Sequence, residues 1–210
     1  VTNAYEAYDL QGASRPIADF VNDLSTWFVR RSRERFKEGG EEKREAAATL
    51  ATVLLELSKV MAPVMPFLAE RVYQAVAPAC HPGAPQSDAI GSSAMKESVH
   101  LEDWPTAREG LIDQKLLADM HTVRKIVELG LAARMEAGIK VRQPLLELLV
   151  SGCALTDELA ELVKDELNVH SVVIASPSEA SAKEGEAIPS GNGWLTKTDA
   201  GIAAALNTEI

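Results

Sequence analysis

Ser14-Arg-Pro-Ile17-Ala-Asp-Phe20-Val21-Asn-Asp-Leu24-Ser-Thr-Trp27-Phe28-Val-Arg30-Arg31-Ser-Arg33-Glu-Arg35-Phe-Lys37 combines a helical apolar pattern with a dense run of bases. Ile17, Phe20, Val21, Leu24 and Phe28 recur at spacings of three and four, the period of a helix with one apolar stripe. Ser14 is a candidate N-cap, and Pro16 lies near the start, where a missing N–H does no harm. The helix is predicted to run to about Lys37 and to stop at Gly39-Gly40. Phe20 and Phe28 are expected in the core, whereas Trp27 sits one position off the stripe. A short helix, from the start of the chain to about Asp9, is predicted ahead of it.

After Gly39-Gly40 a second helix is predicted from about Glu41 to Met61. Its buried face is Leu50, Val53, Leu54, Leu57 and Met61, and Ala47, Ala48 and Ala51 admit a close neighbour. Pro63 and Pro66 break the path, and a third helix follows from about Phe67 to Ala77. Residues 78–98 are rich in Pro, Gly, Ser and Ala and read as a long mobile loop. Val99 to Trp104 alternates before Pro105 and predicts a short extended segment, with Trp104 as an anchor tying the loop back. A long helix is predicted from about Leu111 to Ala137, striped by Ile112, Leu116, Met120, Val123, Val127 and Leu131. Past Gly138 the texture changes. Leu145 to Val150 is strand-like, Thr156 to Leu167 is helical with Thr156 as cap, and Val169 to Ala175 is β-branched. Residues 176–192 are polar and expected to be loose, and Trp194 to Thr196 suggests a final short strand. The expectation is a mainly α protein: a helical bundle over 1–142, then a small α/β appendix over 143–210.

The chain has 210 residues with 46% apolar and 25% charged residues, the composition of an ordinary globular protein. No apolar run is long enough to span a membrane. The amino terminus has no signal-peptide pattern. It also lacks an initiator Met, which suggests a fragment of a longer protein or a processed one. Two cysteines, Cys80 and Cys153, without CxxC partners exclude a four-thiolate zinc site or a disulfide scaffold within the chain, and reducing cytoplasm is the natural compartment.

A net charge of −10 argues against nucleic acid when taken as a sum. The distribution reverses that. Arg30 to Lys37 carries a net charge of +4 and Met120 to Arg142 +3, leaving −17 for the remainder. An acidic body with two basic segments can bind a polyanion locally and repel one that docks wrongly. On a regular helix Arg30, Arg33 and Lys37 share one face, and Arg31 and Arg35 another. Arginine's planar fork suits phosphate oxygens. On charge pattern alone, the stronger reading of this stretch is a solvated basic helix end complementing the helix dipole. In the second segment Arg134 lies near the end of the long helix. Lys140 and Arg142 alternate with Ile139 and Val141, so an extended segment would point both bases one way. The plain alternative there is the polar outer face of an edge strand.

Leu24-Ser-Thr-Trp-Phe-Val-Arg-Arg-Ser-Arg-Glu-Arg-Phe36 resembles a helix of isoleucyl-tRNA synthetases, which are class I enzymes. Met61-Ala-Pro-Val-Met-Pro-Phe-Leu-Ala-Glu70 is similar to the proline-broken turn of the synthetases for branched aliphatic amino acids. Ser98-Val-His-Leu-Glu-Asp-Trp-Pro105, Gly138-Ile-Lys-Val-Arg-Gln-Pro-Leu145 and Lys164-Asp-Glu-Leu-Asn-Val169 resemble further isoleucyl segments in the same order. The resemblance covers about residues 3–175. It implies the C-terminal anticodon-binding region of such an enzyme, a helical bundle that holds the anticodon stem-loop of tRNA(Ile). Arg30, Arg31, Arg33, Arg35, Lys37, Arg134, Lys140 and Arg142 would then meet phosphates, with Gln143 as a candidate base reader because its amide both donates and accepts. The parent enzyme would use ATP and Mg; none is expected in this fragment, whose partners would be tRNA(Ile) and the rest of the synthetase chain. The family's active-site signatures, His-Ile-Gly-His and Lys-Met-Ser-Lys-Ser, are absent.

No glycine-rich phosphate loop and no HExxH occur. Cys80-His81 is the one close metal-type pair, too few ligands for a site. No catalytic residue and no metal site are assigned. The rival readings are a helical protein-interaction module offering a groove to a partner helix, and the equivalent region of a valyl or leucyl synthetase.

Overall fold

The computed structural model describes residues 1–76, 96–107, 109–175 and 193–208. By contacts the chain divides into two compact units, Val1–Ala107 and Arg108–Ile210. Residues 78–95 and 176–192, expected as loops, and the Cys80-His81 pair lie outside the described residues.

The first unit is helical. Its helices are α1 (Thr2–Glu6), α2 (Leu10–Asp23), α3 (Arg33–Glu38), α4 (Gly40–Met61) and α5 (Pro66–Val76). α2 begins earlier than the Ser14 signal suggests, because the Asp9 carboxylate accepts the Gly12 N–H at 2.9 Å and caps it. Pro16 therefore lies inside the helix rather than at its start. From Leu24 to Val29 the chain winds as a π-helix. Each i→i+5 turn inserts one residue and rotates the downstream side chains by roughly 100° relative to an α-helix. The stripe drawn at α-helical spacing already fails in part ahead of this stretch, within α2: Ile17 is buried, but Phe20 is 46% exposed. After α4, Met65 N–H bonds back to the Met61 carbonyl at 2.9 Å, and Pro66 opens α5 at the first helical position, where its missing donor costs nothing. Ile17, Leu57, Met61, Ala69, Tyr73 and Val99 form the core, with Leu54, Leu55, Val60, Ala62 and Val64 packed around it.

Residues 96–104 are pinned to this core by two carboxylates. Glu70 accepts the Ser98 hydroxyl at 2.8 Å and the Val99 N–H at 3.0 Å. Glu102 accepts the Tyr73 hydroxyl at 2.6 Å and the Lys96 N–H at 2.9 Å. The expected extended segment is in fact a 3-10 turn, Val99–Leu101, followed by extended backbone at Glu102. Trp104 does anchor it: Nε1 donates to Thr2 at 3.1 Å, and the indole meets Tyr5 edge-to-face at 5.6 Å.

The second unit carries α6 (Gln114–Glu136), β1 (Leu145–Ser151), α7 (Asp157–Leu167), β2 (Val169–Ala175), β3 (Trp194–Asp199) and β4 (Ile202–Asn207). The sheet order is β2-β1-β4-β3. β1 runs parallel to β2, joined through α7, and antiparallel to β4, while β3 and β4 form a hairpin. α6 packs on β3, β4 and α7. By contacts, then, the division falls at Ala107/Arg108 rather than at the expected 142/143, since α6 covers the sheet. Its buried residues are Val123, Ile126, Val127, Leu129, Gly130, Ala133 and Arg134, whereas Leu116 and Leu131 of the expected stripe are 52% and 37% exposed.

Glycine at 130 is required by close packing. A Cβ there would sit 2.4 Å from Cδ1 of Leu167, which is fully buried. Gly130→Ala gains about 1 kcal/mol of helix propensity but overpacks at a cost of roughly 1–3 kcal/mol. A net loss of about 1 kcal/mol is expected from urea unfolding; a variant more stable than wild type would contradict the packing.

The pinned segment has a pH signature. Burial on its own would raise the Glu102 pKa, but the Tyr73 hydroxyl, the Lys96 N–H and the charges of Lys59 and Lys96 hold it below the ordinary glutamate value. Hydrogen bonds from Gln74, Ser98 and Val99 lower Glu70 likewise. Carboxylates with lowered folded pKa values contribute fully above the unfolded value of about 4.3 and lose that contribution as pH falls through the folded value. Glu102→Gln is expected to lower the urea midpoint at neutral pH and to flatten the decline of stability below about pH 4. An acid limb parallel to wild type would show that Glu102 is not a linked group.

Candidate nucleic-acid interface

The first basic cluster lies in the 1–107 unit, where the π-helical stretch passes into α3. Ser32 breaks the regular turn there (φ −81°, ψ 4°) and is itself buried. The faces drawn on a regular wheel are thereby replaced. Arg30, Arg31, Arg33 and Lys37 are exposed, while Arg35 is half-buried. Arg35 turns toward α4 and meets the Glu45 carboxylate at 3.8 Å. Lys37 pairs with Glu34 at 2.7 Å within α3, and that bond, with the lysine's charge, lowers the Glu34 pKa. Arg30 folds back so that Nε donates to the Thr26 carbonyl at 2.8 Å. Exposed ion pairs of this kind contribute little, because water and salt screen them. They yield to a phosphate more readily than a buried pair would. Trp27 and Phe28 are half-buried in the π-helical turn.

The second cluster lies in the 108–210 unit, between α6 and β1. Here the expected extended ledge is a turn. The Gln143 N–H bonds to the Lys140 carbonyl at 2.9 Å, and the Gln143 Oε1 accepts the Lys140 N–H at 3.1 Å. Lys140, Arg142 and Gln143 are all exposed. Asn168, at the left-handed C-cap of α7, donates its side-chain amide to the Val141 carbonyl at 2.9 Å.

Arg134 corrects the sequence expectation. It is 1% exposed and cannot meet a phosphate. Nη1 donates to the carbonyls of Lys140 at 3.1 Å and Gln143 at 3.0 Å. Nη2 donates to Leu167 at 2.6 Å and Asn168 at 3.0 Å. Burial lowers its pKa from the ordinary arginine value, yet arginine remains protonated in proteins. The signal that could have found this was its spacing from the buried Val123, Val127 and Gly130, which places it on the apolar face. Lys125 and Lys197, not singled out from sequence, are committed to structure: Lys125 pairs with Asp199 and Glu128, and Lys197 with Glu136.

Among the described residues no group of His, Cys, Asp and Glu is arranged to hold a metal ion, and no helix is long and apolar enough to cross a membrane.

The family model described as the anticodon-binding domain of tRNA ligase matches residues 1–150, and the chain belongs to that family. The match takes in both basic clusters. The chain is similar to the isoleucine–tRNA ligase of Streptomyces coelicolor, at 44% identity over 182 residues, covering 85% of this chain and 16% of that protein. The isoleucine–tRNA ligase of Clostridium acetobutylicum is 43% identical over 174 residues, with 82% and 16% covered. That of Dehalococcoides mccartyi is 38% identical over 217 residues, with 100% and 20% covered. The chain therefore spans between about a seventh and a fifth of the length of the curated relatives it matches.

Proposed function

We propose that this chain grips the anticodon stem-loop of tRNA(Ile) as part of a cytoplasmic isoleucine–tRNA ligase and has no catalytic role of its own. The observation that carries this is the anticodon-binding family match, which spans both basic clusters of an otherwise acidic chain. Arg30, Arg31, Arg33 and Lys37 would take stem phosphates from one unit, and Lys140 and Arg142 from the other. Arg35 would join them on releasing Glu45. Such contacts set register and orientation and carry no sequence information. Discrimination then falls to unstacked bases of the loop, read by hydrogen bonds and aromatic stacking. Gln143, with Oε1 engaged by Lys140, would offer its NH2 group to a base. Binding here would orient the tRNA for ATP- and Mg-dependent aminoacylation by parts of the ligase that this sequence does not contain.

Filter binding over a salt series tests the phosphate role. The affinity for tRNA(Ile) should fall linearly on a log–log plot. Arg30→Ala/Arg33→Ala/Lys140→Ala should flatten the slope by about 2–3. An unchanged slope would remove these three residues from the interface. A panel including tRNA(Val) and tRNA(Leu) tests the partner, and preference for either would reassign the ligase.

Glu34 and Glu45 hold Lys37 and Arg35 in exposed pairs. Glu34→Gln/Glu45→Gln should tighten tRNA binding about two- to thirtyfold at low salt, the combined range of two such exposed pairs. Weaker binding would mean that the pairs pre-shape the cluster rather than compete with RNA.

A further inference from the structure

We infer that Arg134, with Asn168 beside it, is a positioning brace that pre-shapes the 139–143 turn and so presents Lys140 and Arg142 to RNA. This rests on the proposed contact between that turn and phosphate. Arg134 itself touches no ligand.

The geometry supports a brace on three counts. First, the guanidinium spans two terminations. One nitrogen holds the carbonyls of Lys140 and Gln143, the two ends of the hydrogen-bonded turn, and the other holds Leu167 and Asn168 at the end of α7. Second, Asn168 closes the gap by donating to Val141, between the two points that Arg134 holds. The backbone of Lys140, Val141 and Gln143 is thus tied at every residue except Arg142, whose side chain is exposed. Third, the clamp is cationic. All four acceptors of Arg134 are backbone carbonyls, so the turn is shaped without bringing a carboxylate beside Lys140 and Arg142. A carboxylate brace would hold N–H groups equally well but would neutralise the surface it shapes. A buried cation instead adds to the positive potential that draws a polyanion.

Lysine at 134 keeps the charge and loses the fork, since it has one ammonium where arginine offers separate nitrogens. Asn168→Gly keeps the left-handed C-cap, which glycine adopts freely, and removes only the bond to Val141. Amide hydrogen exchange at Ile139 and Gln143 reads the turn directly, because their N–H groups bond to the Arg134 and Lys140 carbonyls. In the full 210-residue chain, Arg134→Lys should speed exchange at both amides about tenfold or more. It should also weaken tRNA(Ile) binding toward the level of Lys140→Ala/Arg142→Ala. Adding Arg134→Lys to that pair should change affinity by less than about twofold, because the brace acts through those two side chains. Asn168→Gly should show the same pattern at smaller size, and it decides the matter if the Arg134 variant does not fold.

Unchanged exchange at Ile139 and Gln143 in the folded variants would overturn the brace. So would a loss of affinity that adds in full to that of the Lys140/Arg142 pair. If Lys140→Ala/Arg142→Ala leaves affinity untouched, the assignment of the turn to RNA fails, and the exchange rates still decide whether the brace exists.

Discussion

A charged group inside a protein is costly unless its N–H donors find acceptors, and in the 108–210 unit the two Nη groups of Arg134 meet that demand across three elements at once, while its buried Nε has no partner among the described residues. The last carbonyls of an α-helix have no partner within it and sit at the negative end of its dipole. Arg134 supplies donors to two carbonyls at the end of α7. With its other nitrogen it fixes the turn that leads into β1. The start of β1 is set from the same place, since the Leu145 N–H bonds to the Asn168 carbonyl at 3.1 Å. β1 and β2 are thereby placed side by side in parallel register from Leu145 and Val169 onward. Gly130, one turn before Arg134, lets α6 approach Leu167 closely enough for the guanidinium to reach. Removing Cβ at one position and burying a cation at another are thus two parts of a single tight α6–α7 contact.

The parts of the fold legible in the sequence were those where local and tertiary preferences agree. The proline pair at Pro63 and Pro66, the apolar spacing of α4, the β-branched run of β2 and the start of α7 at Thr156 all left direct marks. The failures have definite physical causes. A π-helical stretch from Leu24 to Val29 has no propensity signature and shifts the phase of everything after it, so the arginine faces could not be placed by a regular wheel. β4 is Ile-Ala-Ala-Ala-Leu-Asn, a helix-favouring composition. It is a strand because Ala203, Ala204, Ala205 and Leu206 are all buried in ladder contact with β1 and β3. Its hairpin turn, Ala200-Gly201 with φ of 51° and 80°, lacks the Asn-Gly signal that marks such turns. The 139–143 turn mimicked a strand because alternation of apolar and basic residues says nothing about who holds the backbone.

The candidate interface was legible as charge but not as geometry. Counting bases located two segments correctly as concentrations of positive charge. It could not separate Arg35, which leans on Glu45, from Arg33, or Lys37, which is paired within its own turn, from Lys140. Those distinctions depend on partners distant in sequence or on the exact helical phase. Yet the pairs observed in α3 are exposed, and exposed pairs are weak enough to exchange one anion for another. They therefore lower the self-repulsion of a dense basic cluster when no polyanion is near, without removing the cluster's capacity to meet one.

Arg134 and Arg142 show why residue type alone does not assign such roles. Both are arginines of one basic stretch, Arg134 in the last turn of α6 and Arg142 in the turn that follows it, and a charge count treats them alike. Arg134 continues the spacing of Val123, Val127 and Gly130, so the helix carries it inward, where water is absent and only carbonyls remain to accept its protons. Arg142 comes after the helix has ended, in a turn whose backbone is already held, so its side chain stays outside with its donors facing solvent. The first is fixed by the cost of an unsatisfied buried charge. The second keeps the rotational freedom that a surface contact to a phosphate consumes on binding. The division follows from where the helix stops, and Gly138, at φ 69°, marks that point within four residues of both.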